Sequence, residues 1–440
     1  MKNNKWIRAI ALGMATTMTV GMLTGCGGSS SESASTGETG TTEDAGTTGD
    51  VVTLSLACWD EQQGEIMETI GDAYTEANPG VEINVQVTTW TEYWTKLEAG
   101  ASNQDMPDLF WVNVLHAEEY AVNGIMKDLT AVGEEIEISD NYPQALIDGY
   151  TYSDKLWAIP KDFDTNGIFY NTQIFDEAGV AYPTSGMTFE EYEAKCKELQ
   201  DAGLPEGTYP TAVAYNSGQT TYYSSIAANG GYILSEDKLE SGWNLPETLS
   251  GVAPWLGLVE KGYSPTAQQL ADTSFDTMFS AGKLAMVLSG NYMIAEYGAS
   301  LGLENFAVCD RPSFNGQDID IMNGLGYAVS EFTKYEEEAM AFVAYLGGHD
   351  AMIMQAEGKK VIPARIDAQE KYLEAYPDLD LGVFLNNLDQ AKLFDFNSIW
   401  SELQTIQNNE IALVWEGTQT LEEAGEAIVA QQQPLLDGLK

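Results

Sequence analysis

From Val51 onward the chain alternates between strand-like and helix-like patterns. Val51–Cys58 carries no charge, and Val81–Val87 alternates apolar with polar side chains, as a strand with one buried face does. Between them, apolar residues recur at the spacing of a helix face until Asn78-Pro79-Gly80 ends the pattern. A second helix is predicted over 91–101 and a short apolar strand over 107–112. This order predicts an α/β fold with a mainly parallel sheet.

Aromatic and acidic residues lie at the carboxyl ends of these predicted strands. Trp59 and Asp60 follow the first strand, and Trp111 ends the third. In open α/β sheets, ligands bind beyond the carboxyl ends of the strands. These three residues are therefore candidates for ligand contact, with burial in the core as the alternative for the aromatic rings.

The stretch Asp148–Asn171 contains two apolar runs joined by a short acidic segment that includes Asp162 and Asp164. Two extended segments with a charged connector suit a chain that leaves one lobe and enters another. Such a connector lies at the mouth of the cleft between the lobes. The alternative is a solvated loop between two ordinary strands.

Two capping boxes mark helices in the second half of the chain. Thr188 is followed by Glu191, and Thr420 is followed by Glu423, each at the spacing that closes a helix N-terminus. Cys196 lies on the apolar face of the first of these helices, so we predict a core residue.

The composition excludes several classes of function. The chain has 440 residues, enough for two domains, and its 67 acidic against 20 basic side chains give a net charge of −47. Such a charge disfavours nucleic acid and adhesion to anionic lipid. With two histidines and no CxxC pair among four cysteines, a histidine zinc site or a Ser-His-Asp triad is poorly supplied. We expect no metal and no cofactor. A disulfide between Cys58 and Cys309 is one alternative, and three buried free thiols are the expected arrangement.

The N-terminus has the pattern of an export signal. Residues 1–26 begin with basic side chains and continue with an apolar run over 9–23, which is short for a membrane span of roughly 20 residues. The run closes with Leu23-Thr24-Gly25-Cys26, which resembles the bacterial lipobox and implies lipid attachment at Cys26. The alternative is an ordinary signal peptide with a chance cysteine. Residues 27–50 are Gly, Ser, Thr and acidic, which predicts a disordered tether.

The order of several weak motifs along the chain resembles the extracellular solute-binding proteins of ABC sugar importers, in the group that includes the maltodextrin-binding proteins, and the resemblance covers residues 51–440. The motifs are the lipobox and tether, Asn78–Val81, Pro107–Leu109, Ile159-Pro160, Phe169–Asn171, the Phe279, Gly282, Met286 and Gly290 spacing, Gly324 with Gly326-Tyr327, and Ile362–Arg365. The resemblance implies two α/β lobes joined by three hinge crossovers, with the ligand in the cleft between them. The first lobe is predicted over 51–161 and 307–348, and the second over 165–305 and 349–440.

The resemblance also implies ligand contacts. Tyr292 lies in Gly290-Asn291-Tyr292, where the family usually has Gly-x-Trp, and Trp400 matches an aromatic residue on a late helix that faces the cleft. Asp164 matches a cleft carboxylate. Sugars suit such a site, because aromatic rings cover their C–H faces and carboxylates accept from their hydroxyls. Asp162, Tyr223 and Arg365 complete the candidates, although an arginine among many acids usually makes a structural ion pair.

These expectations describe a lipid-anchored receptor, not an enzyme, on the extracellular face of the cell membrane. It would be a monomer that takes a mono- or oligosaccharide as ligand and ABC permease subunits as partners. One alternative is a cell-surface glycoside hydrolase, which needs two carboxylates about 5–10 Å apart, although no motif nominates them. The other is a glycan-binding or sensory lipoprotein that is not coupled to transport.

Overall fold

The computed structural model describes residues 51–440, apart from residues 359, 360, 387, 389 and 395 and the side chain of residue 91. The predicted signal peptide, lipobox and tether lie outside the described residues. Within the described part of the chain, no helix combines the length and the apolar character that crossing a membrane requires.

The strands form one large sheet, one small sheet and a short hairpin. They are β1 Val52–Cys58, β2 Val81–Val87, β3 Leu109–Asn113, β4 Thr151–Tyr152, β5 Lys155–Leu156, β6 Ile159–Asp164, β7 Asn166–Asn171, β8 Met286–Gly290, β9 Phe306–Asp310, β10 Ile321–Val329, β11 Ile362–Pro363 and β12 Lys392–Leu393.

The α-helices connect most of the strands and pack against the sheets. They are α1 Glu61–Ala77, α2 Trp90–Asn103, α3 Val114–Val122, α4 Thr130–Glu135, α5 Ile138–Asn141, α6 Gln144–Gly149, α7 Thr172–Ala178, α8 Phe189–Ala202, α9 Tyr222–Ala228, α10 Pro246–Glu260, α11 Ala267–Asp272, α12 Phe275–Ser280, α13 Ile294–Leu301, α14 Glu336–Leu346, α15 His349–Glu357, α16 Gln369–Leu373, α17 Trp400–Trp415 and α18 Leu421–Asp437. Short 3₁₀ turns lie at Asn291–Met293, Leu303–Asn305, Ile366–Ala368 and Leu381–Phe384.

The large sheet has the order β11-β6-β10-β3-β1-β2, with β12 beside β10. β1 pairs in parallel with β2 and β3, as the strand–helix order predicts. β10, however, runs antiparallel to both β3 and β6. The sheet is therefore mixed, because β10 arrives from the opposite direction after the chain has passed through the second lobe.

The small sheet has the order β8-β7-β9 and is antiparallel throughout. Two segments pair with a different sheet from the one that their predicted lobe implies. Residues 307–310 belong to β9 and pair with β7, whereas β11 pairs with β6 and α15 packs against α1. These contacts favour a first lobe that includes α15 and α16. The other limits of the lobes stay a prediction.

Local sequence signals explain the main helix boundaries. Both predicted capping boxes are present, with the side chains of Thr188 and Thr420 accepting from the backbone N–H groups of Glu191 and Glu423. Cys196 is buried on the inner face of α8, as predicted.

The three cysteines of the described chain are buried and free, as expected, and no disulfide joins Cys58 to Cys309. The third is Cys196. Burial raises the pKa of the Cys58 thiol to about 12 and that of Cys309 to about 12 as well. A neutral thiol in an apolar core packs as a small hydrophobic residue and is a poor nucleophile.

Candidate functional site

One buried carboxylate ties together the first two crossovers between the sheets. The first crossover runs from β6 to β7 through Asp164–Asn166, and the second runs from β9 to β10 through Arg311–Asp320. Asp320 accepts from the backbone N–H of Asn166 at 2.6 Å, from its Nδ2 at 2.9 Å and from Nη1 of Arg311 at 2.5 Å. Because all three side chains are buried, the network holds the two connecting segments side by side.

The third crossover joins the same place. After α16 the chain reaches Leu381–Phe384, which packs against β7 and β9. The hydroxyl of Thr165, in the first crossover, donates to the carbonyl of Phe384 at 2.6 Å. All three connections between the sheets therefore meet around residues 164–166.

Asp164 lies at this meeting point and is half-buried. Its Oδ1 accepts from Nε2 of Gln219 at 2.6 Å and from the backbone N–H of Asn323 at 3.3 Å. Burial raises its pKa to about 8, and the charges of Asp320 and Asp162 add to the rise. The structure thus places this predicted residue at the hinge, with a second oxygen that has no hydrogen bond shown within the described chain.

Tyr292 lies close to Asp164. Its side chain remains 45% exposed, yet surrounding protein raises the pKa of its phenol, and the charges of Asp164 and Asp276 raise it further. The structure thus places an exposed aromatic ring beside the Asp164 carboxylate. Gly290 makes room for the ring, since a Cβ there would lie 2.1 Å from Cε1 of Tyr292.

An aromatic cluster forms the first-lobe side of the region. Trp59 contacts Trp90, Tyr93, Trp94 and Trp111, with ring centroids between 4.9 and 5.8 Å apart. Sequence reasoning missed Trp90, which is 50% exposed at the start of α2. The rule that singled out Trp59 applies to it as well, because Trp90 also follows the carboxyl end of a strand.

Asp60 has a structural task beside this cluster. It is the N-cap of α1, and its Oδ1 accepts from the backbone N–H of Gln63 at 2.7 Å. Its second oxygen is not used in this cap, so the cap leaves a possible ligand contact open.

Trp111 and Asp162 both contact a buried lysine, Lys161, which sequence reasoning missed. Nζ of Lys161 contacts a carboxylate oxygen of Asp162, donates to Oε1 of Gln63 at 2.6 Å and lies 4.3 Å from the centre of the Trp111 ring. All four side chains are buried. A buried charge needs such partners. Their burial favours a role for Trp111 and Asp162 in supporting the site, and their contact with a ligand stays a prediction.

The second-lobe side is built around Trp400, at the start of α17. The rings of Tyr223 and Trp400 both pack edge-on against Phe394, with centroids 4.9 and 5.1 Å away. Tyr223 also accepts a hydrogen bond from Nε2 of Gln407 at 2.5 Å. Trp400 is only 3% exposed, and its indole N–H is buried with no acceptor within the described residues. The indole N–H groups of Trp94, Trp111 and Trp243 are likewise buried without an acceptor among the described residues, so this feature fits a ligand contact at Trp400 without singling it out.

Arg365 is occupied by other groups. Its Nε donates to both oxygens of Asp367, at 2.9 and 3.2 Å, and its Nη1 points to the carbonyls of Ile136 and Gly347. None of these partners belongs to the site described above. The structure shows the ion pair that is the alternative for Arg365, and its contact with a ligand stays a prediction.

The described residues contain no group of three or more histidine, cysteine or acidic side chains that could hold a metal ion. The arrangement instead offers aromatic rings on both sides of a hinge, with a carboxylate and amide groups between them. Such groups bind a neutral polar molecule by stacking and hydrogen bonding.

The sequence pattern of the bacterial extracellular solute-binding protein family matches residues 69–380, which is most of the chain. The chain belongs to this family. The members of the family are binding proteins, and the solved structures that resemble this solute-binding protein have two lobes of the maltose-binding type.

Individual relatives agree with this assignment. An ABC substrate-binding protein from Listeria monocytogenes, solved with cycloalternan, is 23% identical, with a TM-score of 0.79 over 88% of this chain and 100% of that one. The GacH receptor of Streptomyces glaucescens, solved with acarbose, is 19% identical, with a TM-score of 0.76 over 88% and 99%. The galactooligosaccharide-binding protein of Bacillus subtilis is 24% identical over 55% of this chain and 56% of its own.

Proposed function

We propose that this solute-binding protein is a lipid-anchored receptor that captures a sugar or an oligosaccharide outside the cell and delivers it to an ABC permease. The observation that carries the proposal is the pairing of exposed or unpartnered aromatic groups, Trp90, Tyr292 and Trp400, with the Asp164 carboxylate at the hinge. Rings suit the C–H face of a sugar, and the carboxylate suits its hydroxyls. The sugars in the names of the relatives above support the same ligand class.

Anchoring and partners follow from the N-terminal sequence and the family. Lipid attachment at Cys26 would hold the receptor at the extracellular face of the membrane, and residues 27–50 would tether it. Closure of the lobes over the ligand gives the permease subunits a shape by which to distinguish loaded from empty receptor. The ligand shifts this equilibrium only as far as it binds the closed form better.

A thermal-shift screen of the purified protein tests the ligand class. The panel contains mono- and oligosaccharides, with polyols and amino acids as controls. A ligand at about a hundred times its Kd adds about 2.7 kcal/mol of stability, which raises Tm by a few degrees. We expect a shift with one class of sugar and recovery of that sugar intact. Stabilisation by an amino acid alone would contradict the proposal, and loss of the sugar would favour a glycoside hydrolase.

Asp164→Asn is expected to weaken sugar binding at least tenfold, about 1.4 kcal/mol, because an amide cannot accept at both positions with charge assistance. The binding should also depend on pH. Without a ligand, the Asp164 carboxyl has a pKa of about 8, and hydrogen bonds from sugar hydroxyls favour its ionised form. Below pH 8, affinity should therefore increase by up to about tenfold for each pH unit. Above about pH 8 it should level off.

Titration calorimetry at several pH values measures both effects. Asp108→Asn is the matched control, because Asp108 is also a half-buried, hydrogen-bonded aspartate but accepts from Ser55 and Thr333 instead. The control should keep wild-type affinity and pH dependence. Equal affinities for the two variants would remove Asp164 from the site.

A further inference from the structure

An ion pair joins two surfaces that belong to different lobes. Oε2 of Glu118 lies 3.5 Å from Nζ of Lys238, although the residues are 120 positions apart. Glu118 is on α3, which packs against β3 and β10 of the large sheet. Lys238 is in the turn that follows α9, beyond the first crossover. The pair therefore spans the gap between the lobes.

The lysine is held in place from the second-lobe side. Its turn is closed by a hydrogen bond from the N–H of Lys238 to the carbonyl of Ser235 at 2.7 Å, with Lys238 in the left-handed region at φ +61°. Nε2 of Gln433, on α18, donates to the carbonyl of Leu239 at 3.0 Å. The turn is thus attached to the C-terminal helix.

The same lysine also contacts the segment that leads to Trp400. Its Nζ lies 4.6 Å from the centre of the Phe396 ring, and its carbonyl accepts from Nδ2 of Asn397 at 3.0 Å. On the other side, Glu118 is two residues from His116, whose ring lies 4.3 Å from that of Trp94. The ion pair therefore closes the gap beside the two aromatic groups that form the proposed cleft.

The charge of the whole protein makes this attraction matter. With 67 acidic and 20 basic side chains, the chain as a whole has a net charge of −47. A net charge of this size disfavours compact arrangements through self-repulsion, which at physiological salt acts over about 8 Å. Glu118 is 17% exposed and Lys238 is 43% exposed, so the pair is only partly screened by water.

We propose that Glu118 and Lys238 form a closure latch, an ion pair that stabilises the closed arrangement of the lobes without touching the ligand. The inference rests on the proposed function only in the assumption that the lobes close over a ligand. The latch favours closure by an amount typical of a partly exposed pair, which is about two- to fivefold in the closed population.

Distance measurement in the ligand-free protein tests the latch directly. Spin labels are placed at Asp72→Cys on α1 and Glu190→Cys on α8, both exposed positions, with Cys26 replaced by serine. The cysteines of the described chain are buried and remain unlabelled. We expect Glu118→Lys to shift the distance distribution toward longer values, and the charge swap Glu118→Lys with Lys238→Glu to restore it.

Glu193→Lys is the matched control, because Glu193 pairs with Lys261 and both lie in the second lobe. It makes the same change of charge and should leave the distances unchanged. If Glu118→Lys behaves like this control, or if the charge swap fails to restore the distribution, the latch is wrong.

Ligand kinetics separate the latch from the proposed function. For a sugar identified by the thermal screen, Lys238→Gln should increase the dissociation rate about two- to fivefold, with a smaller change in the association rate. If no sugar binds, the proposed function is overturned, and the distances between the spin labels in the ligand-free protein still test the latch. Sugar binding with unchanged distances and rates would overturn the latch alone.

Discussion

Trp400→Ala is expected to weaken sugar binding at least tenfold and to lower the free energy of unfolding by about 3–5 kcal/mol. The two losses have different origins. The stability is lost because Trp400 is 97% enclosed by protein and packs on Phe394, so truncation leaves a cavity. The affinity is lost because both the ring and its buried, unpartnered N–H are removed.

Trp400→Phe separates the two losses. Phenylalanine keeps most of the packing on Phe394 but has no N–H, so stability should largely be retained. Affinity should still fall by about 1 kcal/mol, the value of one hydrogen bond. Calorimetry gives the affinity, and urea denaturation gives the stability.

Trp415→Ala is the matched control on the same helix. Trp415 is also buried, but its Nε1 donates to the carbonyl of Val213 at 3.0 Å. We expect a comparable loss of stability with sugar affinity unchanged in the folded protein. If Trp415→Ala lowers affinity as much as Trp400→Ala does, the effect of Trp400 is a general loss of structure and not a ligand contact.

Asp320→Ala is expected to lower the free energy of unfolding by about 3–5 kcal/mol, because it leaves the Arg311 guanidinium buried without its carboxylate. It also removes the acceptor of two N–H groups of Asn166. Since these groups belong to the two crossovers, the variant should loosen the hinge as well as the fold. Urea denaturation measures the loss.

Two further variants test the cause of this loss. Asp318→Ala removes a half-buried aspartate two residues away and should cost little. Replacing both partners, by Asp320→Leu with Arg311→Met, should recover part of the stability, because no buried charge is then left unpaired. A double variant as unstable as Asp320→Ala would show that the hydrogen bonds to Asn166 carry the effect.

The local elements were predictable because their signals are local. Spacing of apolar residues placed α1 and β2, and the capping boxes placed the starts of α8 and α18. The acidic run around Asp164 predicts a connector between two extended segments, and β6 and β7 flank it. Each of these features is encoded within fewer than 20 consecutive residues or so.

The sheet directions were not predictable in the same way. β10 and β9 are adjacent in sequence but lie in different sheets, and β11 returns to the first one. Pairing across such distances depends on the packing of whole lobes, and the apolar pattern of a strand does not state its direction.

For this protein, the sequence alone determined the family, the order of elements and the residue types available for a sugar. Only the tertiary structure decided which of them are buried and which are exposed. Trp111 and Trp90 are equally aromatic, yet one is covered by Lys161 and the other is half-exposed. Burial and partnership arise from contacts between distant segments, such as Gln219 with Asp164 and Glu118 with Lys238. No local pattern records those contacts, because each partner is an ordinary surface residue until the fold brings the two together.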